Sequence, residues 1–384
     1  MIAYLDNSAT TRVSDTVKDI MVKVMSEGYG NPSSLHMKGV EAERYIREAT
    51  DIIAKALKVQ PKEIIYTSGG TESNNLALIG VAMANKRAGN HIITSDIEHA
   101  SILATTKFLE ENGFRITYLP VDENGHVSLE ALKEALCDET ILVSVMHVNN
   151  EIGAIQPIEE ISKIVKSYKS SIIVHVDAIQ SFGKLVVQPK KLGADMVSVS
   201  GHKIHGPKGS GFLYVSDKVK IKPTIFGGGQ QKGMRSGTEN VPAIAGLGVA
   251  VKEACQNLDE HAAKLCELKD YFINRVTALE NVTVNSKKGM DSAPHIISVT
   301  FNGVRSEVML HSLEGKQIYV SSGSACSSNK PSISRTLKGI GLDEKQIDST
   351  IRFSLCYDST REELDYAADE IAGMIDMLRT FTRG

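Results

Sequence analysis

The chain has 384 residues, above the roughly 250–300 at which single cores tend to divide, so two domains are expected. Its 43 basic and 46 acidic residues give a formal net charge of −3 with no long block of either sign, which excludes an electrostatic footprint for nucleic acid. The most apolar stretch, 241–251, holds two glycines and is too short for a membrane span, and five cysteines without a C-x-x-C pair argue against a disulfide framework or a zinc site, so no metal is expected.

No basic region followed by an apolar core opens the chain, so no secretory signal is expected and the protein reads as cytoplasmic. Apolar strand candidates recur at 63–66, 91–94, 115–119, 141–147, 172–177, 196–200 and 211–215, with helical stretches between several of them. Crossovers of this kind imply an α/β unit with a mainly parallel sheet covered on both faces. A long amphipathic stretch, 250–279, then leads to a smaller α+β unit, with strands near 295–301, 318–321 and 349–354 and a closing helix from 361 to about 379.

Three points on this scaffold carry chemistry. The run Ser200-Gly201-His202-Lys203 ends a buried strand at a turn where strand ends usually carry ligands, a place suited to a Schiff-base lysine. Asp177 ends another strand, and the turn Ser68-Gly69-Gly70-Thr71-Glu72-Ser73 opens a helix whose free N–H groups and positive dipole end suit a phosphate. Each is common alone: a loop lysine is usually a surface residue, and an Asp at a strand end often caps a turn. Together they supply what pyridoxal phosphate needs, an amine, a carboxylate for the pyridine nitrogen and an anion site.

The chain resembles the PLP-dependent cysteine desulfurases of the NifS/IscS-like class. The likeness runs from near the N-terminus to about residue 360 and is carried by Tyr4-Leu5-Asp6-Asn7-Ser8-Ala9-Thr10-Thr11, Thr67-Ser68-Gly69-Gly70-Thr71-Glu72-Ser73-Asn74-Asn75, Glu98-His99, Asn149-Asn150-Glu151, His175-Val176-Asp177-Ala178-Ile179-Gln180-Ser181, the Lys203 run, Ser322-Gly323-Ser324-Ala325-Cys326 and Ile351-Arg352-Phe353-Ser354-Leu355. It implies an aminotransferase-like PLP-dependent transferase fold, with residues 13–255 as the large PLP-binding domain and 1–12 plus 256–384 as the small one.

The resemblance also assigns roles. Lys203 would hold the cofactor and move the substrate's α-proton, His99 would stack on the pyridine ring and carry protons, Asp177 would pair with the ring nitrogen, and Gln180 would bond the ring hydroxylate. Gly70, Thr71, Ser200 and His202 would bind the phosphate, joined by Thr238 from a neighbouring subunit of a homodimer. Asn150 and Arg352 would hold the substrate carboxylate, an arginine fork matching it in two-point fashion. Cys326, in a small polar segment, would accept sulfur from L-cysteine as a persulfide for a protein acceptor, an iron–sulfur scaffold or thiolation enzyme, while Cys137, Cys255 and Cys266 read as buried or inert. The alternative is selenocysteine lyase or another PLP-dependent transferase on the same scaffold. Cys356 departs from the family pattern and places a second thiol behind the carboxylate site.

Overall fold

The structure, a computed structural model, describes residues 1–322 and 333–380. The chain opens with a short strand, β1 (Ala3–Tyr4), and two helices, Asp15–Ser26 and Met37–Leu57. The main sheet follows, built from β2 (Ile64–Thr67), β3 (His91–Ser95), β4 (Arg115–Leu119), β5 (Thr140–Met146), β6 (Ile173–Asp177), β7 (Met196–Ser200) and β8 (Gly211–Val215) in the order β2-β8-β7-β6-β5-β3-β4. Neighbours pair in parallel except at β8, which is antiparallel to both β2 and β7. The reversal follows from the short connection 201–210, since a parallel return needs a crossover of a dozen or more residues. Lys203 lies in the turn of that hairpin.

Every residue of β5, β6 and β7 is buried, so even their polar positions find partners within the sheet: His175 bonds Ser144 at 2.8 Å and Ser198 at 2.9 Å. The pleat still sorts them. Ile173, Met196 and Leu213 pack with Leu76 and Val81 of the helix Gly70–Asn85, while Val174, Val197 and Phe212 join the core on the opposite face. Each such side chain contributes about 1.5–3 kcal/mol when fully buried. Between β3 and β5 the strand order reverses, because β3 leads outward to β4 and β5 leads inward to β6. Open α/β sheets bind ligands outside the carboxyl ends of the strands at such a point.

A second core is formed by β9 (Val282–Val284), β10 (Ile296–Phe301), β11 (Ile318–Tyr319), β12 (Ser321–Ser322) and β13 (Thr350–Ser354) with the helices Leu258–Thr277 and Arg361–Thr380, around Phe272, Phe301 and Phe353. Four of these strands form an antiparallel sheet in the order β12-β13-β10-β9, and β11 instead pairs in parallel with β1. The expected single strand at 318–321 is thus two, because the chain changes partners at Val320. The expected unbroken stretch 250–279 is likewise two helices, Val241–Gln256 and Leu258–Thr277, broken at Asn257, whose φ of −127° and ψ of 45° leave the helical region. Among the described residues no helix is long and apolar enough to cross a membrane.

The N-terminal segment ties the two cores together. Leu5 is buried in the second core, Ser8 N–H donates to Ser354 Oγ at 2.8 Å, and Thr11 N–H reaches the His202 carbonyl at 2.9 Å. It runs directly over the carboxyl ends of the main-sheet strands.

Candidate active site

A cavity of about 320 Å³ opens where those strand ends, the N-terminal segment and β13 meet. Lys203, Asp177, His99, Gln180, Ser200 and His202 line it, together with Gly70, Thr71, Asn150 and Arg352. Thr238 does not, and it is exposed. Cys326 lies outside the described residues.

Lys203 Nζ donates to the carbonyl oxygens of Ser8 and Ala9, the latter at 2.8 Å. These bonds fix the amine at the cavity wall. Asp177, only 4% exposed, takes a hydrogen bond from Asn74 Nδ2 at 2.7 Å and another from Ile179 N–H at 3.0 Å. Burial raises its pKa, with the bonds from Ile179 and Asn74 and the charges of His99 and Lys203 opposing the rise. A carboxylate so placed gains most from a cation brought into the cavity.

The same Asn74 amide donates to Ser101 Oγ at 2.9 Å, and Ser101 meets His99 Nδ1 through both its hydroxyl, at 2.9 Å, and its backbone N–H, at 3.1 Å. A backbone N–H can only donate, so Nδ1 accepts and the neutral ring carries its proton on Nε2. Burial holds His99 below the usual imidazole range, against the pull of Asp177. His99 is therefore a neutral ring whose tautomer is set through Ser101. Asn74 and Ser101 had no role in the sequence reading.

At the helix Gly70–Asn85 no side chain caps the N-terminus, so its first N–H groups are left for another acceptor. Gly69 adopts a φ of 146°, which other residues rarely take, and a Cβ on Gly70 would stand 2.1 Å from Ile179 Cδ1 and have to displace the end of that side chain. Ser200 Oγ, beside this turn, is buried without a hydrogen-bond partner, and burial lowers His202 to about 4, with Lys203 adding to the effect. Unsatisfied donors around a glycine cradle at a helix N-terminus fit a phosphate. The residues present thus match each part of a pyridoxal phosphate group.

Arg352 leaves β13 with its guanidinium almost fully buried. Nη1 donates to the Asn150 carbonyl at 2.9 Å, Nη2 to Asp6 at 2.9 Å, and Nε has no partner. Asp6 had no role in the sequence reading, and its contact with Arg352 spans 346 positions of chain, so no local pattern could reveal it. Gln180 donates from Nε2 to the Ser8 carbonyl at 3.0 Å, while His295 Nε2 stands 3.4 Å from its Oε1. Among the other thiols, burial raises Cys255, Cys266 and Cys356. At Cys137 burial works to raise the thiol, but hydrogen bonds with Thr140 and Arg115 win and leave it lowered.

Glu98, beneath the site, takes hydrogen bonds from Ser95 Oγ at 2.6 Å and Met146 N–H at 2.9 Å and so clamps the ends of β3 and β5. Burial raises its carboxyl from 4.5 to about 8. An acid with a raised folded pKa gives stability that is present below 4.5 and is lost as pH rises through about 8. Glu98→Gln removes that loss, so the melting temperature of the variant relative to the parent should climb steadily across this window. A difference independent of pH would show that Glu98 is ionised throughout.

The class-V aminotransferase family model matches residues 3–367. The cysteine desulfurase IscS of Dictyoglomus turgidum is 44% identical over 380 residues, covering 99% of this chain and 96% of its own. The chain belongs to the cysteine desulfurase family of class-V aminotransferases. A solved NifS-like protein superposes with a TM-score of 0.93 at 40% identity over 98% of this chain and all of its own. SspA, solved in complex with cysteine, has a TM-score of 0.80 at 37% identity, covering 93% of this chain and 100% of its own.

Proposed function

We infer that this cysteine desulfurase uses pyridoxal phosphate to convert L-cysteine to L-alanine and leaves the sulfur on Cys326 as a persulfide. The observation that carries the reading is the Lys203 amine and the buried Asp177 carboxylate on the wall of one cavity, beside the uncapped helix at Gly70. The SspA relative supports cysteine as the ligand. Residues 13–255 and 1–12 plus 256–384 serve as the two domains. The test is direct: the purified protein should release alanine from L-cysteine, and sulfide when a thiol reductant is present, and a marked preference for selenocysteine would favour the lyase reading instead.

Gly70, Thr71, Ser200 and His202 would hold the phosphate, Asp177 the ring nitrogen and Gln180 the ring oxygen, with His99 against the ring. When bound, the cofactor supplies an electron sink for charge developing at the substrate's α-carbon. Lys203 Nζ takes the α-proton there, and the Ser8 and Ala9 carbonyls that hold it keep it within the cavity. His99, with its proton on Nε2, serves as donor in the reverse sense. The Cys326 thiolate attacks the substrate sulfur, an S–S bond forms as the Cβ–S bond breaks, and the carbon skeleton is protonated and leaves as alanine. The persulfide sulfur then passes to an acceptor protein, an iron–sulfur scaffold or a thiolation enzyme.

Arg352 binds the substrate carboxylate, and Asp6 and the Asn150 carbonyl aim it. Charge-assisted hydrogen bonds contribute about 1.5–3 kcal/mol, so Arg352→Ala should lower kcat/KM roughly 10- to 150-fold while the cofactor spectrum stays intact. Loss of the cofactor in that variant would place Arg352 elsewhere.

Thr238, exposed on its own chain, reaches the cofactor phosphate of a second subunit in a two-fold homodimer. Lys203→Ala and Thr238→Glu chains, each inactive alone, should regain activity when refolded together, because one site of the heterodimer is then intact. No recovery in verified heterodimers would confine Thr238 to its own subunit or to no site.

A further inference from the structure

A second cavity, about 380 Å³, shares no lining residue with the first. His205, Tyr357 and Asp358 line it, with Asp15, Glu253 and His261. At its wall a ring nitrogen of His205, Cys356 Sγ and a carboxylate oxygen of Asp358 lie within 4.8 Å of one another. The sequence reading expected no metal because the cysteines form no C-x-x-C pair; here the three donors come from segments about 150 positions apart, joined only by the fold.

His205 is held in a manner suited to a ligand. Its φ of 60° is left-handed, a conformation that costs a non-glycine residue about 1–3 kcal/mol when strained and persists only where its surroundings impose it. The surroundings do so: His205 N–H donates to Thr11 Oγ1 at 2.8 Å, its carbonyl accepts from Ser14 N–H at 3.1 Å, and Nδ1 lies 2.9 Å from the Arg12 carbonyl oxygen. A carbonyl oxygen only accepts, so Nδ1 carries the proton and the lone pair of the neutral ring sits on Nε2. Orientation of one ring nitrogen by a backbone carbonyl is the usual support for a metal-ligating histidine. The Tyr357 ring packs between His205, at 4.3 Å, and His261, at 5.0 Å, and His261 Nδ1 is buried without a hydrogen-bond partner.

We propose that His205, Cys356 and Asp358 form a site for a borderline divalent transition ion of the Zn²⁺ class. One imidazole nitrogen, one thiolate and one carboxylate suit zinc and its neighbours, whereas calcium and magnesium select oxygen donors. Ligand atoms 2.0–2.3 Å from a tetrahedral ion stand about 3.3–3.8 Å apart, so the donors need to close by no more than about 1.5 Å. Asp358 is exposed and free to make that movement. On binding, Cys356 gives its proton to solvent, and water completes the shell. The Lys184 and Arg12 cations oppose the ion, but Asp15, Glu253, Asp358 and the Cys356 thiolate outnumber them. Occupancy would tie the segment after β13 to the Lys203 turn.

The test uses full-length holoenzyme carrying Cys326→Ala, so that this thiol cannot compete, without L-cysteine, and Zn²⁺ titrated against a chromophoric chelator. About one zinc per chain is expected, with affinity at least tenfold weaker when Cys356→Ser is added and likewise for His205→Asn, which tolerates the left-handed backbone. A readout that needs no further variant is alkylation of Cys356 followed by mass spectrometry: zinc should slow it at least tenfold, and magnesium should not. Zinc affinity unchanged by Cys356→Ser, no zinc bound at about 100 µM, or Cys356 alkylated equally fast with and without zinc would each overturn the proposal.

Discussion

Lys203→Ala is expected to reduce alanine formation from L-cysteine by at least about 10³-fold, more than 4 kcal/mol of barrier, and to change the visible spectrum of the bound cofactor. Its amine stands on the cavity wall, held there by the Ser8 and Ala9 carbonyls. Lys184, another buried amine, is committed to the Lys203 carbonyl. The paired variant separates the two chemical roles. Cys326→Ala should keep the cofactor and the spectral response to L-cysteine yet transfer no sulfur. Full activity in Cys326→Ala would move the persulfide to another thiol, and appreciable turnover in Lys203→Ala would remove Lys203 from proton transfer.

Asp177→Asn should lower kcat by about 10³-fold while leaving the fold intact. Asparagine is nearly the same size and keeps one oxygen to accept from Ile179 N–H, while its amide can donate to Asn74 once that side chain turns its unpartnered oxygen toward position 177, so both contacts can be remade. What disappears is a negative charge in a buried setting, where it is worth most to a protonated ring nitrogen. Burial raises the Asp177 pKa, so part of its desolvation penalty is relieved in the variant, and the apoenzyme should melt no lower than the parent. Activity and stability therefore move in different directions, which distinguishes loss of chemistry from loss of structure. A kcat within tenfold of the parent would mean that the ring nitrogen does not depend on this carboxylate.

The elements that were legible in the chain are those whose signal is local. Stretches rich in apolar residues such as 172–177 and 196–200 mark buried strands because both faces of the sheet are covered, and Gly69-Gly70-Thr71 marks a helix start because the φ of 146° at Gly69 disfavours other residues. Lys203 and Asp177 could be picked out because each ends such a strand, and strand ends are where an α/β sheet meets its ligand. The tertiary structure alone decided the rest. It reversed β8, because ten residues cannot make a parallel crossover, and broke the 250–279 stretch at Asn257. It set Asp6 on Arg352, linked Asp177 to His99 through Asn74 and Ser101, and gathered His205, Cys356 and Asp358 beside one cavity. Periodicity and turn chemistry act over a few residues, whereas an ion pair or a donor cluster depends on which strands become neighbours, and that is settled by packing of the whole chain.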